Sequence, residues 1–357
     1  MPVPTDDLVW MLAAAAAAYF CAAALVVVGR LRDDRRRRLL ERLEAAGGEA
    51  RPRVDSAAAL ESIVATTRTT VLLRLAAEGA GSRAVQEAIA QAIVLRLGTG
   101  RLRRLADGSA RAGSWRRIAA LRILALARCE EAWASLARSL EEGSPEVRAA
   151  AVTLLGQLAD RRAAELLVRA LERGRAPRSR IATALERFPL DVGDLLVPLL
   201  EARDGAVRYW AAHLVRRYPD ACGVAAVCRL ARDPHPLVRR AAIETLGALR
   251  RREALPVLVA CLLDEMPFVR AHAARALALQ GEADAAELLL PLLADRDWWV
   301  RAAAKESLQQ LGPAVVPIVA RALACPDAFA RDGALEVLQA LGGTAGVGAP
   351  TAEHSHA

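Results

Sequence analysis

Lysine is almost missing from this 357-residue chain: of 49 basic side chains, Lys305 is the one lysine and the rest are arginine. Arginine in lysine's place favours planar, two-pronged contacts to carboxylates and phosphates. A GC-rich genome leaves the same mark, so the bias says little about partners. Aromatic residues make up 4% of a chain that is 54% hydrophobic. Burial must therefore rest on Ala, Leu and Val, which suits close helix packing. Six cysteines occur, Cys21, Cys129, Cys222, Cys228, Cys261 and Cys325, and no two form a C-x-x-C pair. Cys222 and Cys228 match no common zinc spacing. The set reads as small buried hydrophobes in a reducing compartment. No Gly-rich phosphate loop and no G-x-S-x-G is present. The expectation is a chain with no catalytic residues, no metal and no cofactor.

One long uncharged run stands near the start. Leu8 to Val28 reads LVWMLAAAAAAYFCAAALVVV. Twenty-one helical residues span about 32 Å, enough for a hydrocarbon core. The preceding MPVPTDD carries two acids and no base, the wrong sign for a cleaved signal peptide. Arg30, Arg32, Arg35, Arg36, Arg37, Arg38 and Arg42 follow at once. The positive-inside rule puts this side in the cytoplasm, with the N-terminus outside. Arg30, Arg32 and Arg35–Arg38 are then expected to lie against anionic lipid of the inner leaflet. The localisation implied is the bacterial cytoplasmic membrane, spanned once.

What dominates the rest is a ladder. Arg117, Arg148, Arg178, Arg208, Arg239, Arg270, Arg301 and Arg331 follow one another at steps of 30 or 31 residues. Three residues after each arginine sits a mostly small side chain, as in Ala151, Ala242, Ala273 and Ala304. Seven after it sits an apolar anchor, as in Leu155, Leu246, Leu277 and Leu308. That is one apolar face of a helix. A second helix follows in each unit, as in 254–263 and 285–293. Gly156, Gly247 and Gly312 are placed to end first helices in a left-handed cap. Pro145, Pro236 and Pro267 are placed to start the next first helix. A period this short predicts stacked supersecondary units. Five segments result: an anchor over 1–29, a basic linker over 30–55, a helical cap over 56–114, the array over 115–341, and a disordered tail over 342–357. Within the cap, helices are expected over 57–77 and 82–97.

The pattern Asp-x-x-x-x-Val-Arg-x-x-Ala recurs as Asp233…Arg239, Asp264…Arg270 and Asp295…Arg301. It resembles the HEAT family, in particular the short HEAT-like units of the phycobilisome-lyase (PBS-lyase) type. The resemblance implies an all-α, α-α solenoid, a HEAT-like superhelix, preceded here by a single transmembrane helix. It also implies that the arginine reaches back to the acid of its own unit. Two units depart from the pattern: Gly174-Arg175-Ala176-Pro177 before Arg178 carries no acid, and Cys325 stands where one precedes Arg331. Di-iron hydroxylases of HEAT type use His-Glu dipeptides. Here His213, His235, His272, His354 and His356 are never followed by Glu, so that ligand set is absent.

Two surfaces are singled out as candidate binding sites. Arg161-Arg162, Arg216-Arg217 and Arg250-Arg251-Arg252 occupy the same turn of their units, and stacking predicts one basic ridge. Trp298-Trp299 opens a first helix near the opposite, more acidic edge. One of the two rings is expected to pack under the preceding turn, the other to anchor a partner. The reading that follows is a membrane-anchored scaffold with protein partners. A nucleic-acid-binding solenoid and a lyase- or hydroxylase-related enzyme are the alternatives. Nucleic acid is the less favoured partner, because the membrane run lies beside the arginines and aromatic residues are few.

Overall fold

A computed structural model describes residues 33–46, 54–108, 113–219, 223–282 and 284–342, with the backbone alone over 54–59. These residues form helices and turns, with no strand among them. The candidate membrane run, Arg30, Arg32 and the tail from 343 onward lie outside them. The chain divides into two compact units, Met1–Leu158 and Ala159–Ala357.

In the first unit, α1 covers 33–46 and buries Leu43. It is followed by α2 (Val54–Thr66), α3 (Thr69–Glu78), α4 (Arg83–Leu97), α5 (Thr99–Asp107), α6 (Ser114–Leu126), α7 (Glu131–Glu142) and α8 (Pro145–Leu158). The helix expected over 57–77 is therefore two helices. Thr66 and Thr67 turn their hydroxyls onto the carbonyls of Ser62 and Ile63. Arg96 then donates to the carbonyls of Val64, Ala65 and Thr67, each at 2.7 Å. The last carbonyls of α2 are thus satisfied from another helix, and the chain is free to turn. α6 is the centre of this unit and packs on α3, α4, α5, α7 and α8. Its Arg117 is buried and donates to the Ala106 carbonyl at 3.1 Å.

In the second unit the first helices are α10 (Arg178–Glu186), α12 (Gly205–Val215), α14 (Pro236–Leu249), α16 (Pro267–Gln280), α18 (Trp298–Leu311) and α20 (Ala328–Ala340). They stack in sequence, each on the next. Ala211, Ala242, Ala273, Ala304 and Ala334 are fully buried along the seam, beside Val215, Leu246, Leu277, Leu308 and Leu338. Small side chains there let the helix axes approach. Gly247 shows how closely: a Cβ on it would sit 2.9 Å from the Ala276 Cβ and 3.0 Å from its Cα. That close approach explains a glycine expected to cap the helix. Gly247 lies inside α14, and the left-handed position falls on Arg250, at φ 49°. Gly156 likewise lies inside α8. Gly312 does break its helix, but at φ 82° and ψ −169°, a region open essentially to glycine alone.

The second helices are α9 (Arg161–Arg173), α11 (Gly193–Leu196), α13 (Val224–Leu230), α15 (Leu255–Cys261), α17 (Ala285–Leu289) and α19 (Val316–Ala320). Several are shorter than their apolar patterns predict. α11, α17 and α19 tighten into 3-10 turns over Val197–Glu201, Leu290–Ala294 and Arg321–Ala324. Pro198 and Pro291 lie in the first two of those turns. Proline there removes an i to i−4 bond and crowds the previous turn. Pro145, Pro236 and Pro267 do begin first helices.

The arginine ladder differs from its expected form in direction. Each carboxylate contact runs forward to the next repeat. Arg208 grips Asp233 at 2.6 and 3.0 Å, Arg239 grips Asp264 at 2.7 and 2.9 Å, and Arg270 grips Asp295 at 2.8 and 2.7 Å. The remaining nitrogen of each guanidinium turns back to its own turn. Arg239 Nη1 donates to the Asp233 carbonyl at 3.0 Å, and Arg270 Nη1 to the Asp264 carbonyl at 2.8 Å. The aspartate is engaged twice as well. Its second role is to accept the backbone N–H two residues on, from His235, Met266 or Asp297. The two-pronged form of the contact explains why arginine holds these positions.

The carboxylate contact lapses at Arg301, where the next turn lacks the acid. Arg301 has Cys325 in the next turn; it keeps the Asp295 carbonyl at 2.7 Å and lays its guanidinium 4.3 Å from the Phe329 ring centre. Arg148, in the first unit, holds the Gly143 carbonyl and leaves its Nε buried without a partner.

Arg270→Gln leaves the Asp295 carboxylate buried and unpaired, and should destabilise the second unit by about 3–5 kcal/mol. Arg331→Gln removes bonds to exposed carbonyls alone and should cost under about 1 kcal/mol. Denaturant melts of the two variants check this; similar losses would refute the forward pairing.

Acid offers a second test. Burial pushes the Asp233 and Asp295 carboxyls up, but the guanidinium and the backbone N–H outweigh it and hold both below the ordinary 3.8. A carboxyl depressed by folding stabilises the fold above its unfolded pKa, and that contribution is lost as pH falls through the folded value. Stability should therefore decline below about pH 4. Asp295→Asn should be less stable at pH 7 and show a shallower decline, read by melts between pH 7 and pH 2.

Candidate functional site

The turns inside each helical pair form one edge of the second unit. Arg161 and Arg162 open α9, Arg216 and Arg217 follow α12, and Arg250–Arg252 follow α14. All are exposed. The structure laces them with acids that the sequence pattern does not place beside them. Arg161 makes a two-pronged contact to Asp194, Arg216 lies 3.9 Å from Glu186, and Arg252 lies 3.2 Å from Glu282. Arg217 lies at the Tyr218 hydroxyl. Arg162 and Arg251 engage further neighbours. The expected basic ridge is thus a mixed-charge edge. The acids come from turns about 30 residues away, so only stacking brings them to the arginines.

The turns between pairs form the other edge. Here Trp298 and Trp299 occupy the first two positions of α18, capped by Asp297, whose carboxylate accepts the Trp299 N–H at 2.9 Å. Both rings are exposed, by 63% and 44%, and meet edge to face at 5.2 Å. No ring packs under the preceding turn, because Val300, Ala303 and Ala304 already fill the buried face of α18. Arg275 of α16 lies 5.6 Å from the Trp299 ring centre.

The tryptophans do not stand alone. The position two residues before each ladder arginine is Leu237 in α14, Phe268 in α16, Trp299 in α18 and Phe329 in α20. Leu237 is 54% and Phe329 59% exposed, while Phe268 is half-buried. Because the first helices stack in register, these four side chains follow one another along the edge. Sequence reasoning found only Trp299. The signal was available in the same register, but three different residue types disguise it. The surrounding polar groups are of both signs: Glu265 is 78% exposed while touching Arg239 at 3.2 Å and Asp297 caps α18, while Arg275 and Arg301 lie against the Trp299 and Phe329 rings.

In the first unit, Arg35, Arg37 and Arg38 are exposed on α1. Arg36 turns inward and pairs with Asp33 and Glu78, each at 2.6 Å. Among the described residues no helix is long and apolar enough to cross a membrane. None of their His, Cys, Asp and Glu side chains gather in threes suited to a metal. Burial raises the Cys261 thiol to about 11, which makes it a poor thiolate.

A model of HEAT repeats matches residues 193–270 and 264–339, and a model of the PBS lyase HEAT-like repeat matches 147–173. No curated protein matches the chain as a relative. Among solved structures, the fold is similar to Kap121p, at a TM-score of 0.52 and 17% identity. Kap121p bound to Nup53p gives 0.53 at 17% identity. The karyopherin Kap121p bound to the extreme C-terminus of the protein phosphatase Cdc14p gives 0.52 at 17%. The match covers 85% of this chain and 41% of Kap121p, 42% in the Cdc14p complex, so this chain spans about two fifths of that protein's length. At this identity the likeness is one of fold alone. Residues 147–173 and 193–339 match HEAT-type repeats, and the described residues are helical with a HEAT-type fold.

Proposed function

We propose that this protein is a non-catalytic scaffold, held at the inner face of a bacterial cytoplasmic membrane, whose second unit docks a protein partner. The observation that carries the docking surface is the line Leu237, Phe268, Trp299 and Phe329, exposed except at the half-buried Phe268. Stacked helices lie about 8–10 Å apart, close to the length of three extended residues. An extended segment crossing the edge could therefore set an apolar side chain against each repeat in turn. Aromatic residues with a polar rim are the usual composition of an interface anchor. Kap121p, of similar fold, binds Nup53p and the end of Cdc14p. Interleaved acids on the arginine edge weaken the case for nucleic acid, which needs an uninterrupted cationic track. The uncharged run Leu8–Val28 and the arginines after it support the membrane placement.

Trp299→Ala with Phe329→Ala should abolish recovery of the partner from detergent-solubilised membranes, mainly by faster dissociation. Arg161→Glu with Arg252→Glu should leave recovery intact. Loss through the arginine pair alone would move the docking surface to the other edge.

Placement is tested separately. A C-terminal reporter active in the cytoplasm should function, and the full chain should stay with membranes through carbonate extraction. A shortened mature protein in the periplasm would overturn the N-out orientation.

A further inference from the structure

The first unit contains a cleft of about 730 Å³ between α1, the α2–α3 turn, the first turns of α3 and the Trp115 ring of α6. Four arginines from three elements line it: Arg35 and Arg36 from α1, Arg68 from the turn, and Arg74 from α3. Opposing carboxylates are fewer. Asp33 and Glu78 pair with Arg36, and Glu78 also takes Arg74 at 3.1 Å. Arg35 and Arg68 have no carboxylate partner among the described residues. The cleft therefore carries an excess of positive charge.

Two further features aim that charge. No side chain caps the N-terminus of the ten-residue α3, whose Thr70 and Val71 line the cleft, so the positive end of its dipole lies at the cleft wall. The turn itself is held by Arg96, through its three carbonyl bonds to residues 64–67. Trp115 lies 5.1 Å from the Arg74 guanidinium and 5.3 Å from that of Arg116, so Arg74 is fixed over the ring. The remaining wall, Leu39 and Val71 with Trp115, is apolar.

We infer that this cleft is a binding site for an organic phosphoester. A carboxylate satisfies one guanidinium fork; a phosphate presents oxygens to several donors at once, which suits a cleft lined by Arg35 and Arg68 beside the Glu78-bridged Arg36 and Arg74. The volume exceeds that of a bare phosphate ion, and the apolar wall accepts the group that carries it. Two sources share this chemistry, the headgroup of an anionic phospholipid and a soluble phosphoester. The lipid source rests on the proposed membrane placement; the site itself does not.

The test uses the full chain in neutral detergent micelles, titrated calorimetrically with dihexanoyl phosphatidylglycerol, with glycerol 3-phosphate and with inorganic phosphate. Dihexanoyl phosphatidylcholine is the zwitterionic control. At least one anionic organic phosphoester should bind more tightly than inorganic phosphate and than the zwitterionic lipid. Arg35→Gln with Arg68→Gln should weaken it by about tenfold for each guanidinium removed. The single variant Arg35→Gln should lie between, and Arg104→Gln, on α5, should bind as the parent does. Tight binding of the lipid alone assigns a headgroup, and of glycerol 3-phosphate a soluble ligand. Binding of neither, or undiminished binding by a double variant whose melt matches the parent's, overturns the site. Recovery of the protein partner depends on the second unit, so a failure here leaves the docking edge untouched and the reverse also holds.

Discussion

One guanidinium holds three things at once in the middle of this array. Arg239 takes the carboxylates of Asp264 and Glu265 in the next repeat and a carbonyl of the turn that precedes its own helix. Asp264, in turn, ties the Met266 N–H and so starts the next helix. Each turn is therefore fixed by the arginine before it and fixes the helix after it. A turn carries several backbone groups that no helix satisfies, and leaving them buried and unpaired costs more than any one bond gains. The relay discharges that cost repeat by repeat. It also explains why the pair can be buried: every prong of the fork and both carboxylate oxygens are occupied, the condition under which a buried ion pair is tolerated.

The ends of the relay show what depends on it. With Cys325 in place of an aspartate, Arg301 is released from a carboxylate and lies instead on Phe329. An exposed aromatic ring and a cation then stand where an internal clamp would have been. The same stretch carries Trp298 and Trp299. The region where the structural pattern lapses is thus the region richest in exposed aromatic surface. Burying such surface against a partner returns the apolar contribution that the repeat itself leaves in water.

The two edges of the second unit divide their labour by chemistry. On the edge of the inner turns, Arg161, Arg216 and Arg252 meet acids from neighbouring repeats, so charge is balanced locally. On the other edge the buried charges belong to the relay, while apolar side chains repeat once per helix. Balanced charge and exposed apolar surface therefore lie on different edges. In the first unit the balance tips: α1 and the start of α3 bring together more cations than acids, around a cleft with an apolar wall.

The sequence alone determined the repeat, its length, and the helix that carries each arginine. It did so because burial of one helical face forces a period, and the alanine and leucine positions show it directly. It also placed prolines at helix starts, because that constraint is local. What only tertiary structure decided is who meets whom across one repeat. Asp264 lies six residues before Arg270 in the chain, yet its carboxylate belongs to Arg239. The acids that neutralise the arginine edge, and the line from Leu237 to Phe329, are likewise joined by stacking. Gly247 marks a close contact with Ala276, where its position after an apolar run resembled a cap. Splitting of the expected 57–77 helix required Arg96, some thirty residues on, to take its last carbonyls. In each case the deciding partner is one repeat away, a distance at which local pattern carries no information and helix packing carries all of it.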